Sequence, residues 1–213
     1  VPRKGPDKSD LAELRHQILT EADSPAKIIE FDYPTRDEAL PYKERVMAWH
    51  DEIARRWAAA TGGEPGPIAL LVWGDPSLYD STLRIADRLR PAPKVRVVPG
   101  ITALHALPAA HAIPFNGLAG AVTVTTGRRL RDHGWPEGAE RVFVMLDGDC
   151  AFQGLSDPDL SIWWGAYLGM PEQILQAGPL AEAGPRILET RARARADHGW
   201  IMDTYLLVRG ALW

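Results

Sequence analysis

The run Ile68-Ala69-Leu70-Leu71-Val72-Trp73, closed by Gly74-Asp75-Pro76, restricts the fold of this chain more than any other stretch. Six consecutive apolar residues ended by a Gly-Asp-Pro turn read as a parallel strand buried on both faces. Residues 81–89 then read as helix, so strand, turn and helix follow in βαβ order. In open α/β sheets, ligands collect at the carboxyl ends of strands, which puts this turn first among candidate binding sites.

The flanking segments repeat the alternation. Residues 42–60 read as a long amphipathic helix, with Val46, Trp49, Ile53 and Trp57 at helical intervals. Upstream, Leu11, Leu14, Ile18 and Leu19 keep helical spacing behind Ser9 or Asp10, and Asp10 with Glu13 fits a capping box. Residues 27–31 are a short strand candidate. Downstream, an apolar strand at 95–98 ends in Pro99-Gly100-Ile101-Thr102-Ala103 and leads into a small-residue helix at 103–112. Strands alternating with helices define an α/β class with a parallel sheet.

Beyond Pro114-Phe115-Asn116-Gly117 the pattern changes to strands expected at 121–126, 142–146, 160–168, 187–190 and 205–208. A boundary near Asn116 follows, with an N-terminal α/β domain over 1–116 and a C-terminal α/β domain over 117–213. The Ala/Arg alternation at 191–196 reads as a solvated helix or loop.

Composition narrows the function classes. A net charge of −4 gives no basic field for sequence-independent nucleic-acid binding. A single cysteine, Cys150, makes an internal disulfide impossible. No apolar run reaches bilayer-spanning length and no secretory signal is seen, so neither membrane nor export is expected and a cytoplasmic location is. The chain opens on Val1-Pro2-Arg3-Lys4-Gly5, which resembles the end of a strand and lacks an initiator methionine; further residues are expected upstream.

Three strand ends carry the chemistry: Gly74-Asp75-Pro76, Pro99-Gly100-Ile101-Thr102-Ala103 and Met145-Leu146-Asp147-Gly148-Asp149. Glycine admits close approach of a ligand to the backbone, and a carboxylate beyond it accepts from hydroxyl or ammonium groups. Each, taken alone, is also an ordinary turn composition. Asp147 and Asp149 alternate, which fits either a paired-carboxylate site or a solvated turn. His105 and His111 lie on different helical faces, and no histidine has ligand spacing to Cys150, so no metal site is expected. Trp163-Trp164 reads as core. Arg128, Arg129 and Arg131 fit an acidic substrate or a plain surface face.

At these residues the chain resembles the tetrapyrrole methylases, which use S-adenosylmethionine. The resemblance is carried by Gly74-Asp75-Pro76 after an apolar run, by Val97-Val98-Pro99-Gly100-Ile101-Thr102-Ala103 a helix later, and by Val142-Phe143-Val144-Met145. Pro2-Arg3-Lys4-Gly5, Ser77-Leu78-Tyr79-Asp80-Ser81-Thr82, His133-Gly134-Trp135-Pro136 and Tyr167-Leu168-Gly169-Met170-Pro171-Glu172-Gln173 extend it over essentially the whole chain. It implies two α/β domains with the cofactor in the cleft between them, a homodimer, and a tetrapyrrole substrate. By resemblance, the cofactor contacts fall on Trp73, Gly74, Asp75, Leu78, Thr102, Ala103, Met145, Tyr167 and Gly169, with no metal. The implied reaction is methylation of precorrin-5 at C-1 with loss of its acetyl group as acetate. Methylation of another precorrin, or non-catalytic tetrapyrrole binding, are the alternatives. Tyr79 and Asp147 are the candidates to assist deacetylation. The family's opening strand and its glycine- and proline-rich loop have no counterpart in residues 1–30.

Overall fold

The computed structural model describes residues 1–3, 9–64 and 66–212, without the side chains of 9–11. The expected capping box at Ser9 and Asp10, Lys4-Gly5 of the opening motif, and Pro65 of the loop before the apolar run therefore lie outside the described residues. The chain divides into two compact units, Val1–Gly100 and Ile101–Trp213.

In the first unit, β1 (Pro2–Arg3) pairs in parallel with β2 (Phe31–Asp32), and α1 (Ser9–Glu21) connects them. The long helix α2 (Tyr42–Thr61) matches its expected span and turns His50, Ile53, Ala54 and Trp57 inward, positions that recur at helical spacing. These apolar groups pack with Phe31, with Ile85 and Ala86 of α3 (Thr82–Ala86), and with the flanking Tyr33, Trp49, Leu70 and Leu89. Helix α3 is thus shorter than the expected 81–89.

Residues 68–73 and 95–98 correct the sequence reading, since neither forms a strand. A strand needs a partner for its amide row, and among the described residues β1–β2 is the only ladder in this unit. Leu70 reaches the apolar cluster, whereas Ile68, Leu71, Trp73, Val95, Val97 and Val98 are exposed.

The second unit is built on a sheet ordered β3-β4-β7-β5-β6. Strands β3 (Thr123–Thr126) and β4 (Arg141–Met145) run parallel, joined through α5 (Gly127–His133). All other pairings, of β7 (Asp203–Arg209) with β4 and with β5 (Leu160–Ala166) and of β5 with β6 (Ile174–Pro179), are antiparallel. The parallel sheet expected from the alternation is therefore confined here to one crossover.

Alternation along the strands sorts two cores. Val142, Val144, Tyr205 and Leu207 join a large cluster with Trp164, Phe152 and the inward residues of α6 (Leu180–His198). Phe143, Leu206 and Val208 join a second cluster with Leu107 of α4 (Ala103–His111). Helix α4, which a boundary near Asn116 would leave in the first domain, packs onto β5 and β7. A Cβ on Gly165 of β5 would sit 2.8 Å from Leu107 Cδ1, so the helix rests directly on the strand. Residues 187–190, expected as strand, belong to α6. Ala183, Ile187 and Ala194, buried along one helical face, carry that helix.

Candidate functional site

The Gly-Asp-Pro turn is held by its own carboxylate. Asp75 Oδ1 accepts from the Ser77 backbone N–H at 2.8 Å and from the Ser77 hydroxyl at 2.5 Å, and Oδ2 accepts from the Gly100 N–H at 2.9 Å. One side chain thereby clasps the end of the apolar run to the Pro99-Gly100 turn. The Ser77 hydroxyl, then the Ser77 and Gly100 N–H groups, hold this carboxyl below its ordinary range by favouring its charged form. Glycine is required at 100, since a Cβ there would be driven into the Gly74 carbonyl oxygen. Gly74 itself has φ +70°, a conformation open to glycine. Leu78 N–H donates to Asp75 O at 3.2 Å. Trp73 and Tyr79, 37% and 43% exposed, flank the turn. Tyr79 has φ +49°, a left-handed backbone that a non-glycine residue seldom adopts.

Beyond the turn lies a pair that the sequence did not announce. His50, 3% exposed on α2, places Nε2 2.9 Å from the Ser81 hydroxyl. Asp80 fixes the approach to Ser81: its carboxylate accepts from Thr82 N–H at 2.6 Å and its carbonyl from Arg84 at 2.7 Å. Burial, then Arg88, Arg84 and Arg36, lower the His50 pKa against the opposing charge of Asp51, so the ring is neutral near neutral pH. The separation of 31 residues hides such a pair from any local pattern.

In the second unit, Thr102 is buried as the residue preceding α4, its hydroxyl 3.0 Å from His105 Nδ1, and Ala103 opens the helix. Met145, at the end of β4, packs with Leu104 and Leu168 against the Leu107–Phe143 cluster. This unit thus brings the start of α4, the end of β4 and the 167–169 segment to one apolar cluster. Tyr167 points elsewhere. It is 2% exposed, its hydroxyl donates to the carbonyls of Trp200 at 2.6 Å and Ala194 at 3.3 Å, its N–H donates to Met202 O at 3.0 Å, and its carbonyl accepts from Met170 N–H at 2.9 Å. Gly169, with φ +80°, donates its N–H to Gln173 Oε1 at 2.9 Å.

Asp147 does not face Asp149 as a carboxylate pair. Asp147 is 8% exposed, and its Oδ2 accepts from Tyr205 OH at 2.5 Å and Ala151 N–H at 2.6 Å, while Oδ1 accepts from Asp149 N–H at 3.2 Å. Asp149 instead turns outward to Arg131 at 2.5 Å. A Cβ on Gly127 would overlap the Asp147 side chain, so glycine opens the space that the carboxylate fills. Beside it, Arg191 donates to Asp147 O at 3.2 Å and pairs with Asp203 at 2.9 Å, and Trp164 Nε1 donates to the same Asp203 carboxylate at 2.9 Å. These bonds fix the bend after β4, where Leu146 and Cys150 have φ +53° and +56°.

Burial also pushes the Cys150 thiol up to about 11. The native protein at pH 8 is therefore expected to resist Ellman's reagent and to react fully once unfolded in guanidinium. Rapid labelling of the native chain would contradict this burial.

Among the described residues no group of three or more His, Cys, Asp or Glu side chains is arranged to hold a metal ion, and no helix is long and apolar enough to cross a membrane.

The sequence model of the Tetrapyrrole (Corrin/Porphyrin) Methylases matches residues 7–184, and the chain belongs to this family. It is 48% identical over 223 residues to a precorrin-6A synthase [deacetylating] from Sinorhizobium sp., an alignment covering 99% of this chain and 84% of that protein. The crystal structure of CobF, a cobalamin synthesis related protein from Corynebacterium diphtheriae, is similar with TM-score 0.82 at 39% identity, covering 99% of this chain and 87% of that one. The uroporphyrin-III C-methyl transferase of Thermus thermophilus, solved with S-adenyl homocysteine, shares the fold at TM-score 0.54 and 20% identity, over 76% of this chain and 73% of that one.

Proposed function

We propose that this chain is an S-adenosylmethionine-dependent C-methyltransferase of cobalamin formation that converts precorrin-5 to precorrin-6A, methylating C-1 and releasing acetate. The observation that carries the reading is the 48% identity, across nearly the whole chain, to a precorrin-6A synthase [deacetylating]. A homodimer in the cytoplasm is part of the same reading.

The residues fit a nucleotide-sized cofactor at the places the resemblance implies. Gly74 and Gly100 keep two turns free of side chains where their backbones meet, and the exposed Trp73 offers an aromatic face beside them. In this reading Trp73, Gly74 and Leu78 contact the cofactor, while Asp75 shapes the turn, because both its oxygens already accept from Ser77 and Gly100. The resemblance implies further contacts at Thr102, Ala103, Met145, Tyr167 and Gly169. Asp147 holds the bend that follows Met145.

S-adenosylmethionine, when bound, supplies a methyl group already made electrophilic by its sulfonium. The chain's task is then alignment, an effect worth up to about 7–11 kcal/mol in favourable cases. Selectivity tests the reading. Offered several precorrins with methyl-labelled S-adenosylmethionine, the protein is expected to label precorrin-5. Label appearing in a different precorrin, with precorrin-5 untouched, would replace the substrate assignment, and label in none would remove the enzymatic one.

A further inference from the structure

The His50–Ser81 pair lies outside every contact that the family resemblance assigns, yet it has the form of an activated nucleophile. A hydroxyl and a neutral imidazole sit at 2.9 Å, within the hydrogen-bond reach that proton transfer needs. The imidazole is held by its surroundings: the ring is buried on α2, tilted against the Trp49 ring at 5.6 Å between centroids. Ser81 is half-buried and directly follows Tyr79 and Asp80, so the hydroxyl stands at the end of the same loop that begins with the Gly-Asp-Pro turn. Both residues belong to the first unit, and so does the turn itself.

Three of the four charges that act on the ring are positive. Arg84 and Arg88 approach from α3 and its end, Arg36 from the loop before α2, where its guanidinium lies 4.3 Å from the Trp49 ring centre. Asp51 is the opposing charge, and it is paired with Arg88 at 2.6 Å. A cationic field keeps the imidazole unprotonated and favours negative charge developing on an acyl oxygen nearby. It also suits a substrate rich in carboxylates. A histidine placed only to tie two helices together would need none of this.

On the reading above, the reaction must cleave a carbon–carbon bond to an acetyl group, and neither Asp75 nor Asp147 has a carboxylate oxygen free of donors for that work. We propose that Ser81 is the acyl acceptor and His50 its general base in the deacetylation of the substrate, an inference that rests on the function proposed above. Ser81 Oγ attacks the acetyl carbonyl as His50 Nε2 takes its proton. The bond from the acetyl carbon to C-1 then breaks. Its electron pair stays on C-1, spread over the macrocycle, and takes up the incoming methyl group. Water, deprotonated by His50 after that proton has been lost to solvent, hydrolyses the acetyl ester, giving acetate and restoring the Ser81 hydroxyl. Atoms and charges balance with water as the only further reactant.

The test uses precorrin-5 with the acetyl group isotopically labelled. In wild-type protein quenched by acid during turnover, the peptide carrying Ser81 is expected to gain the labelled acetyl mass. Ser81→Ala is expected to lose this adduct and to release acetate about 10²-fold more slowly or worse, the range for removal of a positioned acid–base group, with its circular dichroism unchanged. His50→Gln, which keeps a polar side chain at the buried position, is expected to lose acetate release in the same way. Acetate release by Ser81→Ala at the wild-type rate would overturn the inference while leaving the function intact. Wild-type protein that releases no acetate from precorrin-5 would overturn both.

Discussion

Replacing Asp147 by alanine is expected to destabilise the second unit by about 3 kcal/mol or more. Three donors converge on that carboxylate: the Tyr205 hydroxyl, the Ala151 N–H and the Asp149 N–H. Hydrogen bonds to a charged group contribute roughly 1.5–3 kcal/mol each, and donors left buried and unpaired add their desolvation penalty. Tyr205 is 1% exposed and its pKa is raised by burial and then by the Asp147 charge, so its hydroxyl has no recourse to water. Tyr205→Phe removes one donor together with its need for a partner and is expected to cost less than Asp147→Ala. Urea unfolding of both variants and of the double variant measures the coupling. A double variant no worse than Asp147→Ala supports the network, and strictly additive losses would contradict it. Because the bend positions Met145, a loss of affinity for S-adenosylhomocysteine is expected alongside.

The second large effect falls on the clasp in the first unit. Gly100→Ala forces a methyl group onto the Gly74 carbonyl oxygen, and no flexible side chain is there to yield. Backbone must move, which parts the Gly100 N–H from Asp75 and spreads the two turns. Overpacking of this kind costs about 1–3 kcal/mol. The greater consequence is for binding: S-adenosylhomocysteine affinity by calorimetry is expected to fall about tenfold or more, the equivalent of one misplaced contact set. Asp75→Ala, which removes the clasp from the other side, is expected to lose affinity likewise.

The pH response of the clasp has a definite sign. The Asp75 pKa is lower in the folded chain than its ordinary 3.8, so the stabilisation is complete above that value and disappears as pH falls through the folded pKa. Binding unchanged in both variants would remove these turns from the cofactor site.

What could be read from the sequence divides by distance along the chain. Helix α2 and strands β4 and β7 were legible because their patterns are local: apolar residues recur at helical spacing in one and form short apolar runs in the others. The Gly74-Asp75-Pro76 turn was legible for the same reason. Residues 68–73 have the composition of a strand, but strand formation is settled by a partner elsewhere, which a local window does not contain.

Residues 187–190 misled in the opposite way. A window of Ile-Leu-Glu-Thr looks extended, and the helical face appears only when Ala183 and Ala194 are counted with Ile187. Strand β6, with Gly178 and Pro179 at its end, carries breakers where a strand is sought and was missed. At the site, Asp147 was found but not its use, since Tyr205 lies 58 residues away, and nothing local marks His50, whose partner Ser81 lies 31 residues on.

The central claim is that one chain couples methyl transfer to deacetylation. Purified protein, precorrin-5 and methyl-labelled S-adenosylmethionine, followed by mass spectrometry of the tetrapyrrole and assay of free acetate, tests it most directly. Equal amounts of methylated tetrapyrrole, S-adenosylhomocysteine and acetate are the predicted result. Methylated product that keeps its acetyl group, or acetate formed with no methyl transferred, would contradict it.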